Sequence, residues 1–235
     1  GFKKEIHSKM FGFWGHIHIT DGAITKSFDT KPIAKYDAFV DQIRGIESVN
    51  YTTEVTNIFG KVIPDKYSDQ KTKGGVDRVQ SFVLMPGLLE KGKSFQTIVF
   101  KGVDDDFDWK GMSRFLQQGH KVSNALGGDD LVVSKYLANK LELSVGQAVL
   151  VSFIENRNKI RRRLNVVGIY NTGLEEFDKR FIFGNANKLR PILQWDSTQV
   201  AGFEIFLDDI EDSDVINDYI YSELLPNELY SERIQ

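Results

Sequence analysis

The sequence contains no cysteine, which excludes disulfides, Cys-ligated zinc, iron–sulfur clusters and thiol nucleophiles together. The compartment stays open, because oxidising and reducing environments both accommodate such chains. No run approaches the roughly 18–20 apolar residues of a membrane span; the longest are of the kind seen in "AVLVSFI", 148–154. An excess of one charge is also missing, since 30 Lys+Arg stand against 33 Asp+Glu. No global field therefore draws the chain to nucleic acid. There is no G-x-S-x-G elbow and no H-E-x-x-H pair, and the many carboxylates give no distinguishable acid/base couple. The expectation is a non-catalytic protein without a cofactor. Gly1 follows neither an initiator Met nor a signal peptide, so the chain reads as a mature product or an excised piece.

What is present describes a globular chain of 235 residues, 41% hydrophobic and 27% charged, long enough for one large domain or two modest ones. Ile17 and Ile19 alternate with His16 and His18, the period of a strand with one buried face. "TKPIAKYDAFVDQIRG" changes period: Ile33, Tyr36, Phe39/Val40 and Ile43 predict an amphipathic helix capped at Thr30 and ended by Gly45. "SVNYTTEVTNIFGKVI", "RVQSFVLM" and "FQTIVFKGV" read as strands, with a polar loop from Pro64 to Gly75. Beyond "DDDFDW" comes a mostly β unit containing a short helix capped by Ser134 and a turn at Gly146. "VAGFEIFLDD" and "SDVINDYIYSELLP" then return to strand followed by helix, stopped by Pro226. The fold class is α+β, in two lobes: 1–105 with 195–235 forms one, and a β-rich unit, 106–194, is inserted into it.

Several constellations invite a chemical reading. "GLLEKGKS", Gly87 to Ser94, fits the phosphate-loop pattern letter for letter. The residues after it are strand-like, whereas a phosphate loop must open a helix, so a hairpin is expected instead. His16 and His18 share a strand face, but two imidazoles do not make a metal site. Asp104–Asp106 with Asp108 lacks the glycine and distal glutamate of a calcium loop and reads as solvated. "RNKIRRR" packs five cations into seven residues, Arg157, Lys159 and Arg161 to Arg163. On a hairpin such charge guards an edge or meets an anionic partner or head group. The opening "GFKKEIHSKMFGFWG" combines lysines with Phe11, Phe13 and Trp14, the composition of a segment beside a bilayer or of a terminal helix packed on the domain.

"GFKKEIHSKMFGFWGHIHIT", "TIVFKGVD", "VVSKYLANKLELSVGQAVLV", "LNVVGIYNTGLEEFDKRFIF" and "VAGFEIFLDD" together resemble the extracytoplasmic domain of MacB-type ABC transporter permeases, the FtsX-like permease family, closest to the lipoprotein-releasing LolC/LolE branch. The resemblance implies a βαβ-rich Porter-like lobe made by both chain ends and a Sabre-like insert. It places the chain at the periplasmic face of the bacterial inner membrane, between the first and second membrane helices of its parent, with residues 1–14 nearest the membrane. Implied partners are a second permease subunit, a cytoplasmic ATPase and a periplasmic lipoprotein carrier; none is a nucleic acid. Arg157, Lys159, Arg161 and Arg163 are the candidate contacts, and Phe11, Phe13 and Trp14 the membrane-proximal ones. In the carrier-recruiting member an extended loop joins the strands that correspond to "VLVSFIE" and "IRRRLNVVGIY". Here that connection is only Glu155 to Lys159.

Overall fold

In the computed structural model, residues 14–21, 31–65, 68–119 and 126–234 are described. They form a strand-rich mixed α/β structure with few helices. Ten strands join one sheet: β1 (Ile17–Thr20), β2 (Val76–Lys91), β3 (Ser94–Val103), β4 (Leu116–Gly119), β5 (Asp130–Ser134), β6 (Ala148–Glu155), β7 (Asn158–Tyr170), β8 (Phe181–Asn185), β9 (Gly202–Leu207) and β10 (Tyr230–Arg233). The helices are short: α1 (Ala38–Arg44), α2 (Trp109–Met112), α3 (Lys135–Lys140), α4 (Glu175–Asp178), α5 (Ala186–Leu193) and α6 (Ser213–Tyr219), the last continuing as a π-helical turn at Ile220–Leu224.

The strand order is β6-β7-β5-β8-β3-β2-β9-β1-β10, with β4 also on β7 and β6 pairing back onto β2. That last pairing, Leu150↔Glu90 to Ser152↔Leu88, closes six strands into a barrel. Closure leaves none of the six with an open edge along its paired length. Alternation then sorts the side chains. Val83, Met85 and Leu89 of β2, Ile98 and Phe100 of β3, Val149, Val151 and Phe153 of β6 and Leu164 and Val166 of β7 face inward as one apolar cluster, packed with Leu137 of α3 and Leu189 of α5. Gly87 permits the closure, because a Cβ there would lie 2.6 Å from the Ser152 carbonyl oxygen.

Beyond the barrel, β2 continues into an open sheet with β9, β1 and β10. Ile17, Ile19, Val79, Phe203 and Ile205 pack on one face against Phe39, Val40 and Ile43 of α1 and Ile216 of α6. Burying each such side chain contributes roughly 1.5–3 kcal/mol. A third cluster links the two parts: Phe82, Leu84, Val99 and Phe183 lie under Phe107, Trp109, Met112 and Phe115, with Trp14 at its margin. Sixteen residues of β2 pass through both regions without interruption.

Three sequence expectations need correction. The helix expected from Thr30 begins at Ala38. Ile33–Ala34 instead pairs with Gln199–Val200, and Lys35 donates its N–H to the Thr198 carbonyl at 2.8 Å, which takes these residues out of helical bonding. "SVNYTTEVTNIFGKVI" is not one strand but the start of a folded-back arm, in which Glu54–Thr56 pairs with Val62–Pro64. Of the aspartates after Val103, Asp105 is exposed as expected, but Asp104 and Asp106 are not solvated. Asp104 accepts from Arg190 Nη1 at 2.8 Å and from Lys35 Nζ at 3.0 Å, while Asp106 accepts from the Ser81 N–H and hydroxyl, both at 2.8 Å.

The first described residues and the last leave the sheet together. Ile17 pairs with Arg233, and the Ile234 N–H donates to the His16 carbonyl at 3.0 Å. Through β9 this edge is in register with Val79, so the first and last described residues lie at the Val76 end of β2, away from its Gly92 turn.

Candidate functional site

Of the five basic residues singled out in the sequence, Arg157, Lys159, Arg161 and Arg163 come together on an outer flank of the barrel, while Arg162 alternates to the face of Val151. Pairing of β6 with β7 runs from Ala148↔Asn165 to Glu155↔Asn158, which leaves Asn156 and Arg157 as a two-residue turn. Both have positive φ, 49° and 64°, as a type I′ hairpin turn requires. Asparagine tolerates this region; arginine does so at a cost. From the turn, Lys159, Arg161 and Arg163 alternate outward while Leu164 and Val166 point into the barrel.

Register arranges the flank in rows. Arg163, Leu150, Glu90 and Phe95 form one, Arg161, Ser152, Leu88 and Thr97 the next, and Lys159 with Ile154 the third. Ile154 is 70% exposed and Phe95 62% exposed. Glu90 accepts hydrogen bonds from Ser152 Oγ and, at 3.1 Å, from Lys159 Nζ. These bonds, Ser152 first, hold the Glu90 carboxyl below its ordinary range. Arg161 Nε lies 3.9 Å from the same carboxylate. Among the described residues neither Arg157 nor Arg163 meets a carboxylate, so the flank keeps positive charge. A shallow cavity of about 270 Å³ bordered by Glu90, Leu150 and Arg163 lies at its edge. The arrangement suits contact with a partially acidic, partially apolar surface. Reading composition alone missed Leu150, Ile154 and Phe95; the signal was an apolar residue at an outward position of each strand.

The other sequence candidates are structural. "GLLEKGKS" is a hairpin: Lys91 pairs with Ser94 and Gly92 turns with φ of 60°. His16 and His18 do share a face, but each is committed. His16 Nδ1 accepts from the Leu207 N–H at 2.8 Å, and burial together with the Arg78 charge lowers its pKa to about 4. His18 Nε2 donates to the Trp14 carbonyl, and burial with the Lys101 charge lowers its pKa to about 3. No group of three or more His, Cys, Asp or Glu that could hold a metal occurs among the described residues. The half-buried Trp14 ring packs edge-on against Phe177 at 5.6 Å and Phe181 at 4.8 Å, so the domain takes up this ring. Phe11 and Phe13 lie outside the described residues.

Between barrel and open sheet sits a feature that the sequence did not suggest. Lys101 of β3 forms an ion pair with Glu204 of β9, and both are fully buried. Gln80 of β2, opposite Glu204 in register, donates to Glu204 at 3.2 Å, while its side-chain carbonyl accepts from the Asp108 N–H at 3.0 Å. The Lys101 ammonium stands 4.7 Å from the Trp14 ring centroid and 5.8 Å from those of Phe82 and Phe183. Burial pushes the Lys101 pKa down and that of Glu204 up, each opposed by the other's charge.

No protein-family model matches the sequence, and no curated protein is similar to it. Among solved structures, the fold is similar to the extracellular domain of the noncanonic ABC-type transporter YknZ from Gram-positive bacteria, at 10% identity and a TM-score of 0.53, over 93% of this chain and 100% of that one. It is also similar to the periplasmic region of MacB from Actinobacillus actinomycetemcomitans, at 11% identity and a TM-score of 0.50, over 93% and 88% of the two chains. At these identities the likeness is one of fold. Both neighbours are extracellular or periplasmic regions of ABC-type transporters, and no helix among the described residues here is long and apolar enough to cross a membrane.

Proposed function

We propose that the chain is the non-catalytic extracytoplasmic domain of an ABC transporter permease at the periplasmic face of a bacterial inner membrane. The observation that carries this reading is a fold shared over 93% of the chain with two transporter domains. The placement of the first and last described residues at one end of the sheet supports it, since a domain looped out between two membrane helices must leave and return on one side. A second permease subunit and a cytoplasmic ATPase complete the assembly. ATP is hydrolysed there, and motion reaches the domain through its ends.

In this reading the open sheet, built by both chain ends, is the Porter-like lobe and the inserted unit the Sabre-like lobe, with the ends of β2 and β3 completing the barrel. β2 spans roughly 50 Å at about 3.3 Å per residue, so a tilt imposed at Val76 is delivered to the barrel flank. The cargo we assign is a lipoprotein, passed to a periplasmic carrier at Arg157, Lys159, Arg161 and Arg163. The exposed cations beside exposed Ile154 and Phe95 support this assignment. Replacing Arg157 and Lys159 by alanine is expected to leave the circular dichroism spectrum intact and to weaken carrier binding; unchanged affinity removes the hairpin from the interface. The two-residue turn favours a second reading, a MacB- or FtsX-like permease for efflux or hydrolase regulation that recruits no carrier.

The deciding experiment reads the parent gene across both ends of the chain. Spans of roughly 20 apolar residues on both sides uphold the permease. A cleaved signal peptide with no later span makes the chain a secreted binding domain.

A further inference from the structure

The arm between α1 and β2 carries apolar side chains that the fold leaves uncovered. Ile58 is 94% exposed, Phe59 82% and Val62 62%. The arm is well tied. Val76 N–H donates to the Ile46 carbonyl at 2.8 Å, Thr72 N–H to the Val49 carbonyl at 2.9 Å, and Asp65 N–H to the Thr53 carbonyl at 2.7 Å. At its tip the Asn57 side-chain oxygen accepts from the N–H groups of Phe59 and Lys61 at 2.9 and 3.0 Å, and Gly60 turns with φ of 76°. Ile58 and Phe59 are thus held outward on a closed turn, and the ordering cost of presenting them is met within the fold.

The arm leaves the sheet at Val76, the end where Trp14 enters and Ile234 exits. Residues 1–13, which lead into Trp14, include three lysines and three phenylalanines, a composition suited to the head-group region. The apolar tip is also small. Two or three side chains expose a few hundred Å² at most, far below the roughly 1,200–2,000 Å² of a stable protein interface. A tethered domain needs no such area to touch a bilayer, because tethering raises the effective concentration of the surface.

We infer that the Ile58–Phe59 tip inserts into the outer leaflet of the lipid bilayer and steadies the open sheet against the membrane. This rests on the permease reading for the tether. The absence of native cysteine permits one fluorophore at Lys61→Cys, beside an intact tip. The labelled chain is anchored by an N-terminal histidine tag to phosphatidylcholine vesicles containing nickel-chelating lipid. The expected result is a blue-shifted dye quenched by nitroxide on the lipid chains, with Ile58→Ser/Phe59→Ser lowering the inserted fraction about tenfold or more.

A dye that stays in water overturns the inference. So does quenching that the double variant leaves unchanged, or shielding that grows with protein density and is insensitive to lipid nitroxide, which marks contact with another chain. A parent gene without flanking spans sinks the permease reading and leaves the vesicle result standing. A dye in water, with spans present, sinks this inference alone.

Discussion

Lys101 and Glu204 are both fully buried, and each offsets the cost of burying the other's charge. Removing one partner strands the other charge in an apolar setting, which typically costs about 3–5 kcal/mol. Lys101→Met is therefore expected to lower urea stability by that order, and Lys101→Met with Glu204→Gln to recover part of the loss. A double variant no more stable than the single one would show that Glu204 is not what the lysine neutralises. His18, beside this pair, gives a pH signature. Its folded pKa of about 3 lies below the ordinary 6.5, so the unfolded chain binds the extra proton first. The neutral ring's contribution is complete above about pH 6.5 and is lost as pH falls toward 3, on the order of a few kcal/mol in all. Asp106 and Glu204, whose pKa values burial raises, oppose this trend. Urea midpoints of wild type and His18→Gln across that window isolate the histidine: the variant's profile should be flatter, and parallel profiles would contradict the assignment.

Among the elements, the hairpins show where local chemistry decides and where it yields. Gly92 satisfies its turn without strain, whereas Arg157 holds a left-handed conformation that glycine adopts freely. Arg157→Gly is expected to stabilise the domain by up to about 1 kcal/mol while removing a cation from the flank, measured by urea unfolding. A loss of stability would mean that Arg157 makes favourable contacts outweighing its backbone. Ser134 behaves as its position suggests, its hydroxyl accepting from the Leu137 N–H at 3.0 Å to cap α3. The Thr30 cap fails for a reason outside the segment: a partner strand at Gln199–Val200 competes for the backbone of Ile33 and Ala34. "VTNIFGKVI" fails as one strand because Asn57 and Gly60 close a turn inside it, a signal that was present but outvoted by the β-branched residues around it.

For the whole molecule, the barrel draws strands from both sides of the proposed 105/106 boundary. Residues 106–194 supply β5 to β8, but β2 and β3 come from before it. A fragment spanning 106–194 should remain unfolded by far-UV circular dichroism, with its inward face uncovered. A fragment spanning 76–194, which holds all six strands, should fold. If the shorter fragment folded cooperatively, barrel closure through β2 would not be what stabilises the insert.

Period, capping and turn chemistry act over a few residues, and they were enough to determine most of the strand–helix order, the Gly92 hairpin in place of a strand-to-helix phosphate loop, the Ser134 cap and a mixed, strand-rich fold. Those features depend on neighbours that sequence places side by side. What only the tertiary structure decided are meetings across distance: β6 closing onto β2, Asp104 reaching Lys35 and Arg190, Lys101 finding Glu204, and Ile58 and Phe59 left uncovered. Each depends on which residues far apart in the chain come to share a face, and that is set by burial of the whole sheet rather than by any local preference.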